Sequence, residues 1–202
     1  MISDIPCLEV AISTTQKPTD FEKLQQQAHR DLAAFPGFIS GLALRNLENG
    51  ATHADLILWA SETFALSAAK AIQQDECFAS FMQSIESVAH FAHYSGASPE
   101  AVNQLAKSPV IEITAYKTTL ESNVTELRSA IYKALRSIEG ASSLVAGTRI
   151  DNASALLDLI GWQDKMLPET APRILMKNHP EVEPFFSNIG DIDIKALFEV
   201  VT

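Results

Sequence analysis

The chain has 202 residues, with 25 acidic side chains against 15 basic ones and a formal net charge of -10. Its Lys and Arg are scattered, so phosphate backbones would repel it and nucleic acid is not an expected partner. Hydrophobic residues make up 47% and charged residues 20%, a composition that folds around a core rather than staying disordered. The start, Met1 to Cys7, has no basic segment followed by an apolar run, and no stretch approaches the ~20 apolar residues of a membrane helix. The expectation is a cytoplasmic protein with no membrane partner. Cys7 and Cys77, the only cysteines, are expected as small buried hydrophobes in a reducing compartment.

Residues 7–14 alternate apolar and other side chains and predict a first strand. Thr19-x-x-Glu22 reads as a capping box. After it Phe21, Leu24, Ala28, Leu32 and Phe35 recur at helical spacing, which predicts a one-faced helix stopped near Gly37. Two strands follow, about 39–47 and 53–60, joined through Glu48-Asn49-Gly50, a hairpin signal. Ser61 is placed to cap a second helix, and Phe78, Phe81, Met82 and Ile85 mark a shorter one. Residues 87–95 predict a fourth strand. A linker at 97–109 carries a helical turn or two from Pro99.

The same order then begins again. Asp55-Leu56-Ile57-Leu58-Trp59 and Asp158-Leu159-Ile160-Gly161-Trp162 match at four of five positions, 103 residues apart. At that offset 12 of the 55 positions from 7 to 61 are identical, where background usage gives roughly 3. This predicts an internal duplication: a βαββαβ unit over 1–96 and a second over 110–202. The second has its strand at 110–117, a capping box at Asn123-x-x-Glu126 and a helix through Val124, Leu127, Ile131, Leu135 and Ile138. It diverges after residue 164, where Pro168, Pro172, Pro180 and Pro184 predict a short or broken helix. The final strand is expected at Lys195–Val201.

The run Trp59-x-Ser61, then Ala65, Ala68 and Ala69, then Phe78-x-x-Phe81, with the Pro36-Gly37-Phe38 turn, resembles the antibiotic biosynthesis monooxygenase domain of the dimeric α-β barrel superfamily. The resemblance covers 7–95 and 110–164, and 165–202 only loosely. It implies an α+β fold: two ferredoxin-like repeats with antiparallel sheets, forming an intrachain, pseudo-dimeric α-β barrel with helices outside. It also implies, for the active members, a cofactor-independent oxygenase whose pocket lies between sheet and helices. There a base takes a proton from a small apolar or aromatic compound and O₂ reacts with it directly. Haem-degrading members need a histidine on the helix after the tryptophan, and 62–86 contain none, so no cofactor is expected. The pseudo-dimer makes a further homodimer unnecessary without forbidding it.

Candidate side chains follow from strand alternation. His90, His93 and Tyr94 are the candidate catalytic group. His90 and Tyr94 share one face of the fourth strand and His93 the other, a poor arrangement for chelating a metal. Trp59 and Trp162 are candidate pocket walls or core aromatics. Asp55 is a candidate substrate contact or a turn carboxylate. Arg45 could meet an anionic group or be a solvated strand end, and Tyr116 could donate a hydrogen bond or fill the core. His29 and His53 are expected to be exposed to solvent. The enzyme reading calls for an enclosed cavity of roughly 300 Å³ or more, lined by Trp59 with His90, His93 or Tyr94. A non-catalytic binding or structural barrel would instead have both interiors filled by side chains such as Phe64, Phe78, Phe81, Met82 and Phe91.

Overall fold

The computed structural model describes residues 5–119 and 124–201. It divides into two compact units. The first runs through Pro99 and also takes in the chain from Phe198, and the second is Glu100–Leu197.

In the first unit, β1 (Cys7–Thr14) is followed by α1 (Pro18–Leu32), the hairpin β2 (Phe38–Asn46) and β3 (Thr52–Trp59), α2 (Glu62–Ile72), α3 (Ala79–Ser84) and β4 (Ser87–Ser95). β1 is central, antiparallel to β3 on one side and β4 on the other, and β3 pairs with β2. The hairpin turn is tied by Asn46, whose Oδ1 accepts from the amides of Glu48 and Asn49. Alternation assigns the faces. Glu9, Ala11, Asp55 and Ile57 share one, and with it Phe91 and His93. Leu8, Val10, Leu56 and Leu58 occupy the other and are fully buried. Burying each such aliphatic side chain stabilises the fold by about 1.5–3 kcal/mol.

Helix α1 lies on the Asp55 face because its buried positions, Phe21, Gln25, Ala28 and Leu32, form one stripe. Together with Trp59, Ala65, Ala68 and Phe78, the lower half of that stripe makes a core cluster. The start of α1 differs from the capping-box expectation. Pro18 opens the helix after Lys17, no side chain caps it, and Thr19 is already inside. Proline fixes φ and has no amide to satisfy, so it begins the first turn unaided. Ser61 does sit at the start of α2, without a side-chain capping bond. Gly37 has a φ of 79°, and a side chain there would overlap Phe64.

The second unit contains α4 (Pro99–Leu105, from Glu100), β5 (Val110–Thr118), α5 (Val124–Leu135), β6 (Ala141–Arg149), β7 (Asn152–Trp162), α6 (Leu167–Asn178), α7 (Glu183–Phe186) and β8 (Ile189–Val200) as far as Leu197; the last three residues of β8 belong to the first unit, where they pair with β2. The same strand pairing recurs in both units. Glu9 faces Ile57 in β1–β3, and Glu112 faces Ile160 in β5–β7, both 103 positions on. The second capping box begins at Asn123, outside the described residues.

Three expectations are corrected here, the first in part. The proline-bearing segment is broken, as expected, before Pro180, into α6, a 3-10 turn at Pro180–Val182 and the four-residue α7, but Pro168 and Pro172 leave α6 twelve residues long. Pro168 stands in the first turn, where no amide bond is lost. Pro172 costs one bond inside the helix, and the burial of Pro168, Ala171 and Leu175 offsets it. The final strand starts at Ile189, six residues before the expected Lys195. Cys7 is buried, but Cys77 is exposed, because the short 3-10 turn Glu76–Phe78 buries only Phe78. No helix among the described residues is long and apolar enough to cross a membrane.

Candidate functional site

The Asp55 face of the first sheet and helices α1–α3 enclose a cleft of about 180 Å³. Apolar side chains form most of it, among them Leu32, Ile57, Ile72, Phe78, Phe81, Met82 and Phe91. Its polar residues are Glu9 and Ser13 from β1, Asp55 from β3, His29 from α1 and Gln73, just past the end of α2. Its volume is below the 300 Å³ expected of an enzyme cavity. Yet Phe64 and Met82, expected to fill it, are 40% and 42% exposed.

Asp55, His29 and Glu9 are held by their fold positions. Asp55 is buried in the middle of β3. His29 Nε2 lies 2.6 Å from Asp55 Oδ1, and its side chain is 13% exposed. Gln25, one turn earlier on α1, donates from Nε2 to the same Oδ1 at 2.9 Å and to the Ala54 carbonyl at 3.1 Å. An i, i+4 pair shares one helical face, so both side chains reach a single carboxylate. The strand opposite makes room for the imidazole: a side chain on Gly41 would place its Cβ 2.7 Å from His29 Nδ1. Glu9 is engaged in parallel, with His93 Nε2 3.1 Å from its Oε2. The cleft lining therefore holds one histidine–carboxylate pair, His29 with Asp55, and Glu9, whose histidine partner lies outside the lining.

His29 was expected to be solvated. Its polar partner across the helix–sheet space, invisible to helical periodicity, accounts for the difference. Alternation leaves open which of His90 and His93 faces the helices; the register puts His93 opposite Glu9, on the Asp55 face. His90 and Tyr94 lie on the opposite sheet face, both buried and joined at 2.9 Å (Nε2 to Oη), so the cleft does not include them. Trp59 is fully buried against Phe38 in the core cluster and does not line the cleft. Arg45 pairs with Glu199 and, at 3.1 Å, with Glu22, away from the cleft. The bond to Glu199 raises its already high pKa. His53, expected to be exposed, is completely buried against Phe21, 3.6 Å from Glu22, and burial lowers its pKa.

The second unit carries a cleft of about 200 Å³ at the same place. Asp158 replaces Asp55 there, and the residues 103 positions beyond Gln25 and His29 are Arg128 and Tyr132. Arg128 Nη2 donates to Asp158 Oδ1 at 2.5 Å, Tyr132 donates to the same oxygen, and Tyr116 Oη donates to Oδ2 at 2.7 Å. Trp162 lines this cleft and donates from Nε1 to Glu112 at 3.0 Å. Burial raises the Glu112 pKa. Tyr116 and Trp162 thus share one pocket, as candidate substrate contacts require, while Trp59 does not share one with Asp55. Aligning the copies carries the missed signal: polar residues interrupt the apolar helix stripe at the same two positions, 25/128 and 29/132, in both. Among the described residues no three His, Cys, Asp or Glu side chains gather as a metal site.

No family model matches the chain, and no curated protein does. Solved structures match its full length. An anthrone oxidase-like protein aligns at a TM-score of 0.68 and 13% identity, over 99% of this chain and 93% of its own. The chlorite dismutase of Candidatus Nitrospira defluvii, solved with imidazole, aligns at 0.63 and 9%, over 99% and 92%. A candidate monooxygenase of Fusobacterium nucleatum aligns at 0.63 and 11%, over 100% and 94%. At these identities the likeness shows the fold alone: an α+β fold of antiparallel strands with two ferredoxin-like halves in one chain.

Proposed function

We propose that the chain is a tandem relative of the antibiotic biosynthesis monooxygenases, acting without a cofactor on a small apolar or aromatic compound in the first cleft. The observation that carries this reading is the 2.6 Å contact between His29 and Asp55 beside an apolar cleft. A carboxylate accepting from Nε2–H fixes the imidazole tautomer and leaves the lone pair on Nδ1. Such a ring takes a proton from an activated carbon or a phenolic hydroxyl near neutral pH, and Asp55 stabilises the imidazolium that forms. The carbanion then reacts with O₂. For an activated methylene the balance is one methylene and one O₂ giving one carbonyl and one water. Glu9, held by His93, is the second carboxylate of the cleft lining. Asp55 acts through His29, and Gln25 is a positioning residue.

The test is oxygen uptake with a panel of phenols, naphthols and anthrones. The account expects turnover with one O₂ per carbonyl formed, and a loss of about 10²–10⁴-fold in His29→Ala, the usual worth of a general base. Saturable binding of the same compounds without oxygen uptake would overturn it in favour of a non-catalytic binding protein. The small volume of the cleft is the observation that favours this second reading.

A further inference from the structure

We propose that the cleft of the second unit is a separate, non-catalytic binding site for a flat aromatic compound bearing a neutral hydroxyl group. The reasoning is an inventory of protons. Asp158 accepts from Arg128, Tyr132 and Tyr116, so its charge is matched and both its oxygens are engaged. It has no imidazole beside it and cannot serve as the base that Asp55 and His29 form. Both tyrosines spend their only hydroxyl proton on Asp158, so toward the cleft they present oxygen lone pairs. Burial pushes both phenols above their ordinary pKa, which keeps those protons in place. Glu112 takes the Trp162 indole N–H on Oε2, and Lys195 Nζ stands 3.9 Å from Oε1.

The polar wall of this cleft therefore presents acceptors from Asp158, Glu112 and the two tyrosines, against Thr114 and the Glu112-paired Lys195 as donors, while Ile131, Leu135, Ile160, Leu175, Phe185 and Phe186 supply an apolar floor and sides. Such a wall selects a donor. A phenol or naphthol supplies one proton to it and buries a planar ring. The matching methyl ether leaves the acceptors unpaired, and the matching carboxylate brings a negative charge beside Glu112. A cleft of about 200 Å³ suits one or two fused rings. The inference does not depend on turnover in the first unit.

The test is calorimetric titration of the full chain with 2-naphthol, 2-methoxynaphthalene and 2-naphthoate. It is run in wild type and in two variants that fill one cleft each, Ala69→Phe for the first and Ala171→Phe for the second. Circular dichroism checks the fold of each variant. 2-Naphthol is expected to bind the Ala69→Phe variant at least about tenfold tighter than either analogue, and Ala171→Phe is expected to remove that site. Tyr132→Phe, which keeps the ring and deletes one acceptor oxygen, is expected to weaken naphthol about five- to tenfold and the methyl ether hardly at all. This variant decides the matter should Ala171→Phe fail to fold. Binding that vanishes in Ala69→Phe, or equal affinity for the three probes there, overturns the proposal.

Discussion

Substituting Gly41 by alanine isolates the His29–Asp55 contact from the rest of the fold. Gly41 has an ordinary strand backbone, so an alanine adds no conformational strain, only a methyl group. That methyl would lie 2.7 Å from His29 Nδ1 and 3.1 Å from Cε1, where ordinary contact begins at 3.4 Å. The ring must retreat by at least about 0.7 Å, and a 2.6 Å bond to Asp55 does not survive that shift. Losing a hydrogen bond to a charged group costs about 1.5–3 kcal/mol. Replacing glycine by alanine in a strand returns about 0.5–1 kcal/mol. The net expectation is a loss of about 0.5–2.5 kcal/mol, read as a melting shift of about 2–4 °C per kcal/mol in a chain of this size. In a His29→Ala background the ring is gone, and the same substitution should be neutral or stabilising. The assay is a thermal or urea double-mutant cycle. An equal cost in both backgrounds would refute the reasoning, because it would mean that the methyl meets something other than the imidazole.

Three further outcomes are expected. Burial holds the folded-state pKa of His53 below its unfolded value, so the unfolded chain binds this proton first. The contribution is fully present above about pH 6.5 and is lost as pH falls through the lowered folded value. His53→Leu should therefore flatten the fall in stability between pH 7 and 5 by up to ~1.4 kcal/mol per pH unit, and an unchanged slope in urea titrations would count against it. A Cβ on Gly161 would lie 2.0 Å from Ser108 Oγ, 2.2 Å from Ser143 Oγ and 2.8 Å from Ser108 Cβ. Gly161→Ala should lower stability by about 1–3 kcal/mol by calorimetry, with partial recovery in a Ser108→Gly background; no loss would contradict this packing. A thiol reagent should titrate one cysteine in the native chain, Cys77, slowly because its pKa is raised to about 11. Cys7, buried and pushed up to about 12, should react only after unfolding, and two fast thiols would be inconsistent with the core.

Much of the fold was legible because strands and one-faced helices write their periods into the chain, and the duplication writes them twice. The offset of 103 fixed which residues were equivalent before any pairing was known, and Glu9–Ile57 and Glu112–Ile160 then paired as equivalents. The Asp55 face was legible too, and so was the opposition of His93 to His90 and Tyr94, but which of the two sides faces the helices came only from the strand register. The partner on the helix was not legible. His29 reads as a polar residue beside an apolar stripe, and periodicity does not say that a carboxylate waits across the gap. His53 misled for a related reason: it follows a hairpin turn, where exposure is the rule, but the ring of Phe21 from α1, itself packed on Phe81, lies against it. Pro172 suggested a broken helix because a single lost bond is visible in the sequence and the burial that offsets it is not.

The central claim is that His29 works as a base in the first cleft. It is tested most directly by oxygen uptake in the His29→Ala variant with and without added imidazole. The account predicts a loss of about 10²–10⁴-fold that free imidazole, entering the space the ring has left, partly restores. Uptake that is unchanged by the substitution would contradict it.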